Sequence, residues 1–246
     1  MRCIGCVCIV MVMLVAAGAC AQKEETRGIT GWGSKFGAAF SSYGTNTSIS
    51  EVDGRRTFTY ALFLTYSINS KLAIQPELCF VEKGVGRDDY FLGLWKGFDL
   101  TYLELPVLLK YRLLPSPDVT PWLYVGPTFG ILMEANVSSD GSFSEWETYN
   151  HFSTDVKDGL KSLDLALVLG GEVEFRAFGT HKAVLDLRYS MGLSNVLDVD
   201  RWNGDRRILY EGDGLFGPYV DYDRPELDQD AYIRNRVFMI RVGFKR

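Results

Sequence analysis

Apolar and polar side chains alternate at every second position in eight stretches of the chain, as expected of strands with two unlike faces. The first covers residues 32–43, with Trp32, Phe36, Ala38 and Phe40 on one face and Gly33, Lys35, Gly37, Ala39 and Ser41 on the other. The second, 56–68, sets Phe58, Tyr60, Leu62, Leu64, Tyr66 and Ile68 against Thr57, Thr59, Ala61, Thr65 and Ser67. The third, 71–83, sets Leu72, Ile74, Pro76, Leu78 and Phe80 against Gln75, Glu77, Cys79 and Lys83. The fourth and fifth share the segment 99–134. Leu103, Leu105, Val107, Leu109 and Tyr111 oppose Glu104, Lys110 and Arg112; then Leu123, Val125, Phe129, Ile131 and Met133 oppose Tyr124, Gly126, Thr128 and Gly130. The sixth opposes Leu163, Leu165, Leu167, Leu169, Val173 and Phe175 to Asp164, Ala166, Gly170, Glu172, Glu174 and Arg176. The seventh opposes Ala183, Leu185, Leu187, Tyr189 and Met191 to Asp186, Arg188 and Ser190. The eighth opposes Phe238, Ile240, Val242 and Phe244 to Arg236, Met239, Arg241, Gly243 and Lys245.

Most of these stretches reach the roughly 9–11 residues that a tilted membrane-spanning strand needs. They exceed the ~5–6 residues usual in soluble sheets. The connections alternate in length. Tight turns fall at 67–71, 114–118 and 178–181; long loops fall at 44–55, 84–98, 135–161 and 192–235. Short turns on one rim and long loops on the other predict an antiparallel up-and-down meander with both chain ends on the short-turn side. A loop as long as 201–230 is unusual in a compact soluble domain.

Two architectures share this pattern. A soluble barrel or sandwich buries the apolar faces, whereas a membrane barrel turns them to lipid and the polar faces to the lumen. The polar set mixes charges with many glycines and alanines, which suits a narrow lumen filled by side chains. Its charges are also of both signs. Lys35, Lys83, Lys110, Arg112, Arg176, Arg188, Arg241 and Lys245 stand against Glu77, Glu104, Asp164, Glu172, Glu174 and Asp186. A nearly dry lumen requires such pairing, because an unpaired buried charge costs several kcal/mol. The expectation is an eight-stranded outer-membrane barrel with a plugged, charged lumen. Tyr43, Tyr60, Tyr66, Tyr111, Trp122 and Tyr189 are read as aromatic girdles at the two interfaces.

Composition fits export. In the 246 residues, Arg2 precedes an apolar run that ends in small residues around Ala19-Cys20-Ala21, the pattern of a secretory signal. Residues 1–21 are read as signal and 22–246 as the barrel domain. The alternative is a loose lipobox with Cys20 lipidated. Four of the five cysteines lie within this leader, so Cys79 has no partner for a disulfide. A net charge of −5 without a basic run argues against nucleic acid. Nucleophile-elbow, zinc-protease and P-loop motifs are absent, and the two histidines, His151 and His181, fall on opposite rims. No catalytic, cofactor or metal residue is assigned. Glu172 and Glu174 share a strand face and admit a paired-carboxylate reading; salt bridges to Arg176 and Arg188 are the competing one.

The segment YLELPVLLKY at 102–111 resembles a strand of the PorT-like, porin-type family of small outer-membrane barrels. PWLYVGP at 121–127, LRYSMGLSN at 187–195 and IRVGF at 240–244 match the habits of that family in order and spacing. The resemblance runs from about Trp32 onward and implies a barrel in the outer membrane of a Gram-negative bacterium. One departure is the ending, where Phe244 is followed by Lys245-Arg246; barrels of this kind often end on an aromatic residue. The family carries no single activity.

Three functional readings remain open at this point: a non-enzymatic monomer whose loops bind or assemble, a narrow pore, and a soluble exported barrel with an apolar pocket. In the first, Trp146, Tyr149 and Trp202 are the recognition aromatics for a protein or glycan.

Overall fold

The computed structural model describes residues 27–45, 53–89, 94–114, 118–142, 149–155, 157–204, 207–211, 219–223 and 228–246. The leader, Cys20 and Trp146 lie outside the described residues. The strands are β1 (Gly28–Thr45), β2 (Asp53–Ser67), β3 (Leu72–Asp89), β4 (Leu94–Arg112), β5 (Val119–Ser142), β6 (Tyr149–Asp155), β7 (Leu163–Arg176), β8 (Lys182–Gly192), β9 (Arg207–Glu211), β10 (Tyr219–Asp223) and β11 (Ile233–Lys245). A short helix, α1, spans Val199–Gly204, and a 3-10 turn spans Lys157–Gly159.

Eight strands close into one antiparallel barrel in the order β1, β2, β3, β4, β5, β7, β8, β11. The β4–β5 ladder and the β1–β11 ladder, with Gly37 opposite Arg241, complete the ring. The backbones of Trp32 and Arg246 exchange hydrogen bonds of 3.1 and 2.9 Å, which ties the end of the chain to β1 on the short-turn rim.

The loops hold more strand than their sequences predict. β5 runs on to Ser142 and pairs with β6, while β9 and β10 form a separate hairpin. The alternation signal depends on lipid at one face. Beyond the bilayer both faces are wet, so backbone pairing continues without a periodic sequence.

Burial follows the pleat. Along β11, Val237, Met239, Arg241 and Lys245 are buried, while Phe238, Ile240, Val242 and Phe244 are exposed. The same holds around the ring: Phe58, Leu105, Leu123, Phe129, Leu165 and Leu187 all face outward. A continuous apolar belt around a polar interior is the arrangement of a membrane barrel, and it removes the soluble inversion. Three residues depart from the expected faces. Tyr43 and Trp122 share the inward parity of Ser41 and Tyr124, so neither belongs to a girdle. Arg236 shares the parity of Phe238 and is exposed on the outside.

Candidate functional site: the charged lumen and its cap

The centre of the lumen is a network of ion pairs spanning the barrel. Lys35 on β1 donates to Glu77 on β3 at 3.1 Å, to Asp186 on β8 at 2.6 Å, and to Glu172 on β7. Arg241 on β11 reaches Glu77 at 3.1 Å and Asp186 at 2.9 Å, and Arg188 on β8 reaches Glu77 at 2.9 Å. Neutral groups fill the remaining lone pairs: the Tyr124 hydroxyl donates to Asp186 at 2.7 Å and the Gln75 amide donates to Glu77 at 2.7 Å. Carboxylates that accept from several donors at once are the form in which buried charge is tolerated. Only a narrow barrel lets β1 touch β3, β7 and β8 together. Gly170 helps make room, because a Cβ there would collide with the Tyr124 ring and hydroxyl.

Toward the short turns the network continues. Lys110 meets Glu172 at 2.5 Å and Gln75 at 2.9 Å, and Lys245 and Lys182 hold Glu174 at 2.6 and 2.8 Å. Trp122 lies among these cations, with Arg112 4.8 Å, Lys110 5.1 Å and Lys245 6.0 Å from its ring centre. A cation over an aromatic face is attracted by its quadrupole. Below this layer a cavity of about 460 Å³ opens at the mouth, beside Arg112, Arg176, His181 and Lys182.

Toward the long loops a second cluster forms. Lys83 pairs with Glu104 at 2.7 Å and Asp164 at 3.0 Å, and Asn235 and Ser194 donate to Asp164 at 2.6 and 2.8 Å. Above it the lumen turns apolar. Leu100, Tyr102, Leu132, Val237 and Met239 of the wall pack with Leu160, Leu197, Trp202 and Ala231 from the loops. Asn195 fastens this cap: its Oδ1 accepts from the backbones of Leu197 (3.1 Å) and Ile233 (2.9 Å), and its amide donates to Ala231 (3.0 Å).

The buried charges of the described residues balance. Six cations (Lys35, Lys83, Lys110, Arg188, Arg241, Lys245) meet six anions (Glu77, Glu104, Asp164, Glu172, Glu174, Asp186). Of the sequence-selected lumen set, two residues stand apart. Arg176, 57% exposed, pairs with Asp118 at 3.5 Å on the short-turn rim, because β7 ends there and its last side chain meets water. Arg112 likewise ends β4 and is only half-buried. Glu172 and Glu174 pair with lysines rather than with Arg176 and Arg188, and each is held by at least two cations, which leaves no free carboxyl pair for acid–base work. Trp202, selected as a recognition aromatic, is 8% exposed and buried in the cap. Its loop folds back over the barrel mouth, so its indole is part of a core. Tyr149 opens β6. Sequence selection passed over Lys182, Ser194 and Asn235. The alternation carries Lys182 and Asn235 inward by parity with their strands; nothing local marks Ser194 as a partner of Asp164 or Asn195 as the fastening of the cap. Among the described residues, no group of three or more His, Cys, Asp or Glu side chains is placed to hold a metal.

Comparison with known proteins bears on this geometry. No curated protein matches the chain. Among solved structures, Ail, the attachment invasion locus protein of Yersinia pestis, is 14% identical, over 89% of this chain and 99% of that one, with a TM-score of 0.41. The outer membrane protein OprG from Pseudomonas aeruginosa is 12% identical, over 89% and 97%, with a TM-score of 0.42. A major outer membrane protein from Thermus thermophilus is 13% identical, over 88% and 98%, with a TM-score of 0.44. A family model described as "Outer membrane protein beta-barrel domain" matches residues 20–198, which is most of the barrel. The chain belongs to that family of outer-membrane β-barrel proteins and is located in the outer membrane.

Proposed function

We propose that the protein is a non-enzymatic, monomeric scaffold of the outer membrane, a PorT-like member of its family, exported by a signal at residues 1–21. Its barrel fixes long surface loops for binding or assembly and does not conduct. The observation that carries this reading is the balanced set of six buried cations and six buried anions. A conducting path needs charged or polar groups that water and solute can reach. Here each of these carboxylates is taken up by a protein cation, and the outer mouth is filled by the Leu160–Leu197–Trp202 cap. The recognition aromatics of this reading are then Trp146 and Tyr149 of the long loop sequence, and the partner is a protein or a glycan. Trp202 serves the cap.

The test is electrical. Purified barrel in planar lipid bilayers is expected to give no discrete conductance steps in molar salt. Reproducible ohmic steps would replace the scaffold with the narrow-pore reading.

A further inference from the structure

The outer wall carries a basic patch that neither the lumen nor the loops account for. It lies at the long-loop end of β1, where β2 and β11 flank that strand. Arg56 of β2 stands opposite Phe40, and its guanidinium lies 5.9 Å from the Phe40 ring centre. Arg236 and Arg234 of β11 stand opposite Ser42 and Gly44. The Arg236 guanidinium lies flat against Gly44, where a Cβ would come within 3.0–3.1 Å of it. Arg234 sits 5.0 Å from the ring centre of Tyr232. All three arginines are exposed, and none forms an ion pair among the described residues. On the same face, level with Arg56 and one pleat below Arg236, Phe40 and Phe238 form an apolar floor, paired at 6.2 Å between ring centres and exposed.

We propose that this patch binds the phosphorylated headgroup of a glycolipid in the outer leaflet. The long-loop rim of such a barrel faces that leaflet. Arginine forks match phosphate oxygens in bidentate geometry. The exposed Phe40 and Phe238 beside Arg56 and beneath Arg236 and Arg234 offer a surface for acyl chains, so charge and apolar area are stacked in the order a lipid presents them. The arginines are confined to β2 and β11 around β1. At the same height the neighbouring strand β3 carries exposed Glu82, so the patch is a local site on the wall. The inference rests on outer-membrane placement and is independent of whether the lumen conducts.

The test uses the full mature barrel in nanodiscs of phosphatidylcholine doped with bis-phosphorylated lipid A, or with the same lipid dephosphorylated. Native mass spectrometry counts the retained glycolipid. Retention is expected with the phosphorylated form and not with the dephosphorylated one, and R56Q/R234Q/R236Q is expected to lower it about tenfold, as loss of a charge-assisted contact would. Heat-modifiable mobility verifies that the variant is folded; if the triple variant fails to fold, R236Q alone gives the same readout. Equal retention of the dephosphorylated lipid, or unchanged retention by the folded variant, would overturn the proposal. So would displacement of the lipid by inorganic phosphate at equal concentration, which would assign the patch to a soluble anion.

Discussion

Lys35 Nζ on β1 lies 2.6 Å from Asp186 Oδ2 on β8, with β11 between their strands and both side chains closed to water. Asp186 also receives Arg241, Arg188 and the Tyr124 hydroxyl. Like Glu77, it is an anion on which three buried cations converge, and its loss leaves all three under-compensated. Asp186→Asn keeps the shape and removes the charge. The expected loss is about 3–5 kcal/mol of barrel stability, the cost of breaking a buried pair from one side. Urea unfolding in lipid vesicles, followed by tryptophan fluorescence, measures it. The control is Lys182→Gln: Lys182 is partly exposed and its partner Glu174 keeps Lys245, so less than about 1 kcal/mol is expected because water screens the Lys182 end and the carboxylate stays paired. Equal effects at the two sites would mean that the lumen is wet.

The same burial sets the response to salt. Exposed ion pairs fade once the Debye length falls to a few ångströms, whereas enclosed ones do not. The unfolding midpoint of the wild-type barrel is expected to shift little between low and molar sodium chloride. A large fall in the midpoint would show that ions reach Lys35 and Arg241.

How much of this was legible beforehand follows from the period of two. Lys35, Glu77, Asp186 and Arg241 lie at alternating positions in strands whose other face is apolar, so their common side could be read from spacing alone. What spacing cannot supply is partner choice. Glu172 lies two residues from Glu174 and four from Arg176, yet its partners are Lys35 and Lys110, set by closure of the ring. Spacing also weakens at strand ends. Arg112 and Arg176 keep inward parity but stand at the mouth, where the lumen gives way to water. The cap was least legible. Leu160, Leu197 and Trp202 come from loops without periodicity, and their burial arises from packing against the wall. The two-face pattern also left inside and outside interchangeable; the exposed belt and the family match removed that ambiguity.

The belt makes its own prediction. Val125, 46% exposed, sits midway along the outward apolar run of β5 from Val119 to Ile131, and Val119, also outward, begins that strand at the rim. Val125→Arg is expected to destabilise the barrel in vesicles by about 2–4 kcal/mol, and Val119→Arg by about 1 kcal/mol or less, because the cost of a lipid-facing cation peaks at the bilayer midplane. Equal costs at the two depths would place Val125 out of the hydrocarbon core.

The cap and the barrel are expected to fail separately. Trp202 joins Leu160, Leu197 and Ala231 above the lumen, while Asn195 ties the backbones of Leu197, Ala231 and Ile233 together. None of these contacts closes the strand ring, which depends on the β1–β11 and β4–β5 ladders. Trp202→Ala removes a large buried side chain, and the neighbouring loop segments can relax into water, so the loss is local. Asn195→Ala strips three backbone groups of their partner at a cost of roughly 1–3 kcal/mol for the groups left unpaired. Limited proteolysis of intact cells is expected to cut both variants within 193–232 several times faster than wild type. Their heat-modifiable mobility is expected to be unchanged, as required by a cap that opens with a free energy below that of the barrel. Loss of the folded band in Trp202→Ala would show that the cap holds the barrel shut, and the two would then form one cooperative unit.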